Sequence, residues 1–222
     1  MELITFMSIF KILTGEEPTI FEKIIFLATH HFDNGAYGEY LTKYLIDNKI
    51  TEYNKTLNNI YIPYLKNTTT ETTEIDIILI IEQGIFVIES KNYSGWIFGG
   101  AEQYEWTQSL NRNTKTKFYN PIKQNQTHIK ALSDYLKIDQ KFFHSYIVFS
   151  ERCELKKVPS NTDTFTIVKR NQLLRQLKND IIHKPKILTV EEIDKIESAL
   201  IPFTNVSDTV KQQHIKNINK FR

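Results

Sequence analysis

Apolar residues recur along this chain with two different periods. Over residues 36–47, Tyr37, Leu41, Tyr44 and Leu45 repeat at three and four positions, which predicts a helix with one buried stripe, entered at Gly35 and carrying Glu39 in its first turn. The period then shortens. NNIYIPYL (58–65) predicts a short extended segment, the polar run 67–73 sets it apart from its neighbour, and IDIILII (75–81) is the most strand-like stretch of the sequence. Glu82, Gln83 and Gly84 supply a turn into IFVIESK (85–91), a second strand rich in β-branched and aromatic residues.

Further along, Gly95, Gly99 and Gly100 punctuate a third strand over 96–98, followed by a segment over 104–108 and a basic, polar loop over 111–117. Asn120 and Pro121 predict a helix start: Asn accepts hydrogen bonds from free backbone N–H groups, and Pro at the first helical position loses none. Ile122, Ile129, Leu132 and Leu136 mark its buried face, and Trp106 is expected in the core. Residues 144–150 and 164–168 predict two more strands, and 172–178 a helix. Thr189 with Glu192 forms a capping box opening a last helix to about Leu200, which Pro202 ends. Leu3, Phe6, Met7, Phe10 and Leu13 fall at helical spacing and predict an amphipathic helix packed on the domain. Helix, antiparallel strands, helix and strand in that order predict an α/β fold, a mixed sheet covered by helices.

Composition narrows the class. With 222 residues, 41% of them hydrophobic and 24% charged, the chain has the makings of a folded core and is neither disordered nor fibrous. The net charge of +2 does not by itself argue for a polyanionic partner, but its distribution is lopsided: residues 1–76 carry six basic and eleven acidic side chains, residues 151–222 fourteen and nine. The lone Cys153 excludes an internal disulfide framework, and a reducing cytoplasm is the expected location. No stretch approaches the roughly 20 apolar residues of a membrane span. Residues 1–13 lack the basic start and small-residue cleavage pattern of a secretory leader.

The two central strands carry charges that need a reason. If Gln83 and Gly84 are the central turn residues, Asp76 faces Lys91, Ile78 faces Glu89, and all four point to one side of the sheet. Asp76 and Glu89 are then diagonal neighbours with Cα atoms about 7 Å apart. Two converging carboxylates beside a lysine suit a hard divalent cation and a phosphate. The competing reading is a solvated outer face, common in antiparallel sheets. Slipping the pairing by one residue would separate the acids. Arg112, Lys115, Lys117 and Lys123 lie close in sequence to this patch and could grip a nucleic-acid backbone without reading its bases.

The ordered set of Gly38-Glu39, Ile75-Asp76, GIFVIESKNY (84–93), Gly95, Gly99-Gly100, Trp106, and Asn120-Pro121 with Gln124 and His128 resembles the nuclease-related domain (NERD) family of the PD-(D/E)XK nuclease superfamily. The resemblance covers roughly residues 35–150, leaving 1–34 as an N-terminal helical extension and 151–222 as a C-terminal strand, helix and basic-tail extension. It implies a restriction-endonuclease-like core and a metal-dependent phosphodiesterase acting on nucleic acid, with DNA the expected substrate. Asp76, Glu89 and the Ser90 carbonyl would hold Mg²⁺ or Mn²⁺, and Lys91 would orient or activate water and stabilise the reacting phosphate. Glu39 would reach the metal through water, and Gln124 would position substrate or water. A non-catalytic nucleic-acid-binding or regulatory module on the same fold is the alternative, and a homo-oligomer is compatible with either. No GxxxxGK[ST] phosphate loop or kinase signature accompanies the motif.

Overall fold

The computed structural model describes residues 34–66 and 68–219; the amphipathic helix expected over residues 1–13 lies outside them. Helix α1 (Asn34–Lys49) leads into a long hairpin of β1 (Asn54–Lys66) and β2 (Thr69–Ile81), and a tight turn leads into β3 (Gly84–Lys91). Three short strands come next, β4 (Gly95–Phe98), β5 (Glu105–Ser109) and β6 (Lys115–Tyr119), then helix α2 (Pro121–Leu136) and β7 (Phe143–Phe149). The chain continues through β8 (Cys153–Lys157), β9 (Thr166–Lys169), α3 (Arg170–His183), α4 (Val190–Leu200) and α5 (Asp208–Asn219).

The strands form two mixed sheets, not the one expected. In the larger, ordered β1-β2-β3-β7-β9, the first three strands are antiparallel and β7 and β9 run parallel to β3. In the smaller, ordered β6-β5-β4-β8, the β8 strand adds parallel to β4. Residues beyond 150 therefore give each sheet a strand. Pro63 sits within β1, where it is tolerated because β1 is an edge of the larger sheet.

Alternation along β2 and β3 assigns their side chains to two cores. Ile78, Ile80, Ile85 and Val87 pack with Ile129 and Leu132 of α2 and Ile193 and Ile196 of α4. Ile77, Leu79, Phe86 and Ile88 pack on the other face with Ile46 of α1 and Leu173 and Leu177 of α3. β3 is covered on both faces, which explains its nearly unbroken apolar run. A third cluster joins the two sheets around Trp106, which is fully buried, stacks on Phe149 at 6.1 Å and donates its indole N–H to the Gly100 carbonyl at 3.0 Å.

Several boundaries differ from the pattern-based expectation. The polar run 67–73 is not a separator: Thr69 to Thr73 are paired residue for residue with β1, and threonine's β-branched side chain suits that ladder. The basic segment expected as a loop becomes β6 from Lys115 onwards, because its backbone pairs with β5. The tail predicted only as basic contains α5. The capping box at Thr189 and Glu192 and the Asn120 cap are both present. No described helix is long and apolar enough to cross a membrane.

Candidate active site

Pairing of β2 with β3 places Ile81 opposite Gly84 and Ile77 opposite Ile88, so Glu82 and Gln83, not Gln83 and Gly84, form the turn. Gly84 is the reason. Its backbone has φ +128°, and a Cβ there would stand 2.6 Å from the Phe142 carbonyl oxygen. The shift from the expected pairing is two residues, and with a period of two it leaves every side chain on its predicted face. Asp76, Glu89 and Lys91 consequently all lie on the α2 side, with Asp76 level with Glu89 instead of diagonal to it.

Asp76 occupies a gap in the ladder. The β1 pairing omits it and Asn59, whose backbone turns to φ +53°, and it lies just beyond the last β2–β3 pair. Its side chain takes over part of that pairing: Oδ2 accepts the Ser90 N–H at 2.7 Å. Asp76 Oδ1 carries no hydrogen bond from the described residues, and the carboxylate lines a cleft of about 940 Å³.

Glu89 is only 1% exposed, yet both its oxygens are engaged. Oε1 lies 2.6 Å from Lys91 Nζ, and Oε2 lies 3.0 Å from His128 Nε2. Lys91 Nζ also donates to Gln124 Oε1 at 3.2 Å, and His128 Nδ1 meets Thr73 Oγ1 at 2.7 Å. Helix α2 thus supplies two side chains one turn apart that hold the acid and the lysine in place. Asn120 sets its start, accepting the Ile122 N–H at 2.9 Å.

Charge is unevenly compensated here. Burial acts to raise the Glu89 pKa, but the positive charge of Lys91 and the His128 hydrogen bond outweigh it and hold the carboxyl down at about 2. Lys91 behaves conversely: burial works against its charge, while Glu89 and Asp76 push its pKa above the ordinary lysine value. Asp76 is pushed well above the usual carboxylate range by burial first and by the charges of Glu89 and Glu39 next, with Lys91 and the Ser90 N–H opposing. An open carboxylate oxygen crowded by two other acids suits a cation, although no group of three or more His, Cys, Asp or Glu among the described residues forms a ready-made cage.

Glu39 is the sixth described residue of α1 (Asn34–Lys49), past the first turn expected for it. The charge of Glu39 acts on Asp76. Gly38 brings α1 close: a Cβ there would lie 2.7 Å from the Asn92 Cβ, just past Lys91. The side chain of Ser90 points to the opposite face and its buried hydroxyl has no partner among the described residues. Of the four basic residues expected to grip a backbone, only Lys117 lines the cleft, and it pairs with Glu105 at 3.0 Å. Lys123 stands 3.5 Å from Glu102, while Arg112 and Lys115 are exposed along the β5–β6 hairpin.

The contact of His128 with Glu89 is not readable from sequence, although its spacing of four from Gln124 puts both on one helix side. Glu74 and His214, 3.7 Å apart in the cleft wall, carry no sequence signal, because α5 meets β2 from 142 positions away.

The chain is similar to an uncharacterized protein of Bacillus anthracis, 34% identical over 152 residues that cover 68% of this chain and 69% of the relative. No solved structure matches. Residues 34–150 match the family described as nuclease-related domain, a span that begins with α1 and ends one residue past β7. With the matched span holding Glu39, Asp76, Glu89, Lys91, Gln124 and His128 alike, the chain belongs to the nuclease-related domain family of the PD-(D/E)XK-like nucleases.

Proposed function

We propose that the protein is a metal-dependent nuclease that hydrolyses phosphodiester bonds, with DNA as the expected substrate. The observation that carries this reading is the meeting of Asp76, Lys91 and Gln124 in the lining of one cleft, with Glu89 buried behind them against Lys91 and an open Asp76 oxygen beside that charged lysine. Asp76 and Glu89 would hold Mg²⁺ or Mn²⁺, with the Ser90 carbonyl as a further oxygen donor and Glu39 acting through water. When bound, the ion supplies polarisation of a phosphoryl oxygen and a water of lowered pKa.

The chain's own residues divide the remaining work. Lys91 is held charged at neutral pH, so its Nζ donates to a phosphate oxygen or orients water and does not take a proton from it. Gln124 fixes the lysine from one side and Glu89 from the other. His128 holds Glu89 through Oε2, so Oε1, which faces Lys91, is the oxygen that would be offered to a cation. Arg112, Lys115, Lys117 and Lys123 would add sequence-independent, salt-sensitive contacts to the backbone.

The test is cleavage of plasmid, linear and single-stranded DNA, and of RNA, in Mg²⁺ or Mn²⁺ and in chelator. Metal-dependent cleavage is expected, reduced at least about a hundred-fold by Asp76→Ala and by Lys91→Ala. The engagement of both Glu89 oxygens favours one second reading, a binding module without turnover. Salt-dependent binding without cleavage under any metal would establish it instead.

A further inference from the structure

Five aromatic rings share the cleft with Asp76 and Lys91: Tyr64, Tyr93, Tyr104, Phe118 and Tyr119. Tyr64, Tyr93 and Phe118 also pack against the core, but Tyr104 and Tyr119 belong to no core cluster of the described residues. Tyr104 is 64% exposed and Tyr119 40% exposed, so burial within the protein does not account for their placement. Their rings pair edge to face with centroids 5.1 Å apart, and Tyr93 and Phe118 form a second pair at 4.6 Å, two residues beyond Lys91.

The platform is held rigidly. Asn120, fully buried, donates through its side-chain amide to the carbonyls of Gly100, Ala101 and Gln103 and through its backbone N–H to the Tyr104 carbonyl at 3.0 Å. Tyr119 directly precedes it and pairs in the ladder with Glu105. Exposed rings on a clamped base lose little freedom when a flat ligand stacks on them.

Charge then selects the form of the ligand. Among the described residues, the Asp, Glu, Lys and Arg side chains of the cleft are Glu71, Glu74, Asp76 and Glu105 against Lys91 and Lys117. A double helix would bring two rows of phosphates to a wall already negative, with its bases stacked away from the rings. A single strand brings one row and can turn its bases onto aromatic faces, an attraction that owes nothing to net charge. We propose that this cleft binds unpaired nucleobases of a single-stranded segment, stacked on Tyr104 and Tyr119, with Tyr93 and Phe118 guiding the strand to Lys91. The assignment of a single-stranded substrate rests on the reading of Asp76, Glu89 and Lys91 as a phosphodiester site.

The experiment compares the full chain's binding, in chelator, to fluorescein-labelled oligothymidylate, an abasic phosphodiester strand of equal length, and a blunt duplex of that length. Oligothymidylate is expected to bind at least about ten-fold more tightly than the abasic strand. Tyr104→Ala/Tyr119→Ala should abolish that difference, and Tyr104→Phe/Tyr119→Phe should keep it, because the ring and not the hydroxyl matters. Tyr104→Leu/Tyr119→Leu, which preserves apolar bulk, serves if the alanine pair melts early, and it too should abolish the difference. Equal binding of thymidylate and abasic strands, preference for the duplex, or persistence of the difference in the leucine pair would overturn the proposal. Cleavage of the same strands in Mg²⁺ is scored separately. Base-dependent binding without cleavage would sink the nuclease reading and leave the stacking site, whereas cleavage with base-independent binding would do the reverse.

Discussion

Two clusters of buried charge flank the end of β3, one on each face of the larger sheet. On the α1 and α3 side, Arg170 is 1% exposed and donates to Glu151 at 3.1 Å, to Thr42 at 3.1 Å and to Asn92 at 3.4 Å. It opens helix α3, where the dipole disfavours a cation, and Glu151 offsets that cost. On the α2 side, Glu89 is equally well paired, but Asp76 beside it is not. Arg170 joins α1, the end of β3 and the start of α3 with every contact inside the protein. The other cluster keeps an acid whose charge is poorly compensated and opens into a cleft. Balanced charge ties elements of the fold together, whereas unbalanced charge opening into a cleft is the pattern expected of a functional site.

The largest expected effect tests the balanced side. Arg170→Met should leave the partly buried Glu151 without its partner, remove the bonds to Thr42 and Asn92, and cost about 3 kcal/mol in chemical denaturation. On the other face, Glu89 should make stability fall in acid. Its folded-state pKa of about 2 lies below its ordinary 4.5, so its contribution is present above 4.5 and lost as pH falls towards 2. Denaturation at several pH values should show this slope in the native chain and a flatter one in Glu89→Gln, which also starts from lower stability at neutral pH.

Asp76→Asn should have the opposite sign from Arg170→Met. A raised folded-state pKa means that ionised Asp76 costs stability as pH rises through that pKa, and costs nothing below the ordinary value of 3.8. The substitution should therefore raise the melting temperature at pH 8, by about 2–4 °C for each kcal/mol relieved, with the gain vanishing in acid. A loss at pH 8 would make both clusters structural and erase the distinction. Smallest of all, Lys117→Ala should leave the melting temperature unchanged, because its pair with Glu105 is largely exposed, while any nucleic-acid affinity becomes less sensitive to salt.

Much of the site is legible in the sequence because it depends on alternation. The acids and the lysine keep their common face under a two-residue shift, so a wrong choice of turn among Glu82, Gln83 and Gly84 does no harm. The turn itself is not legible, since Gly84 is fixed by a carbonyl at Phe142, 58 residues away. The threonines of 69–73 resemble a break because polarity outweighs β-propensity, and only pairing with β1 decides the case. The second sheet hides for a similar reason, as β8 joins β4 in parallel across 58 positions. Basic residues are visible as charges, but nothing in the sequence couples them to their acidic partners Glu102 and Glu105.

Because Glu89 and Lys91 look one way while Ser90 and Asn92 look the other, a single stretch of backbone serves both clusters at once. Inserting or deleting one residue in β3 ahead of Glu89 would exchange their occupants wholesale, stranding a carboxylate and an ammonium group against α3 and hydroxyl and amide groups in the cleft. The spacing between Glu89 and Lys91 in this chain is thus fixed twice over: a change of length there would disturb the Arg170 cluster as well as the cleft.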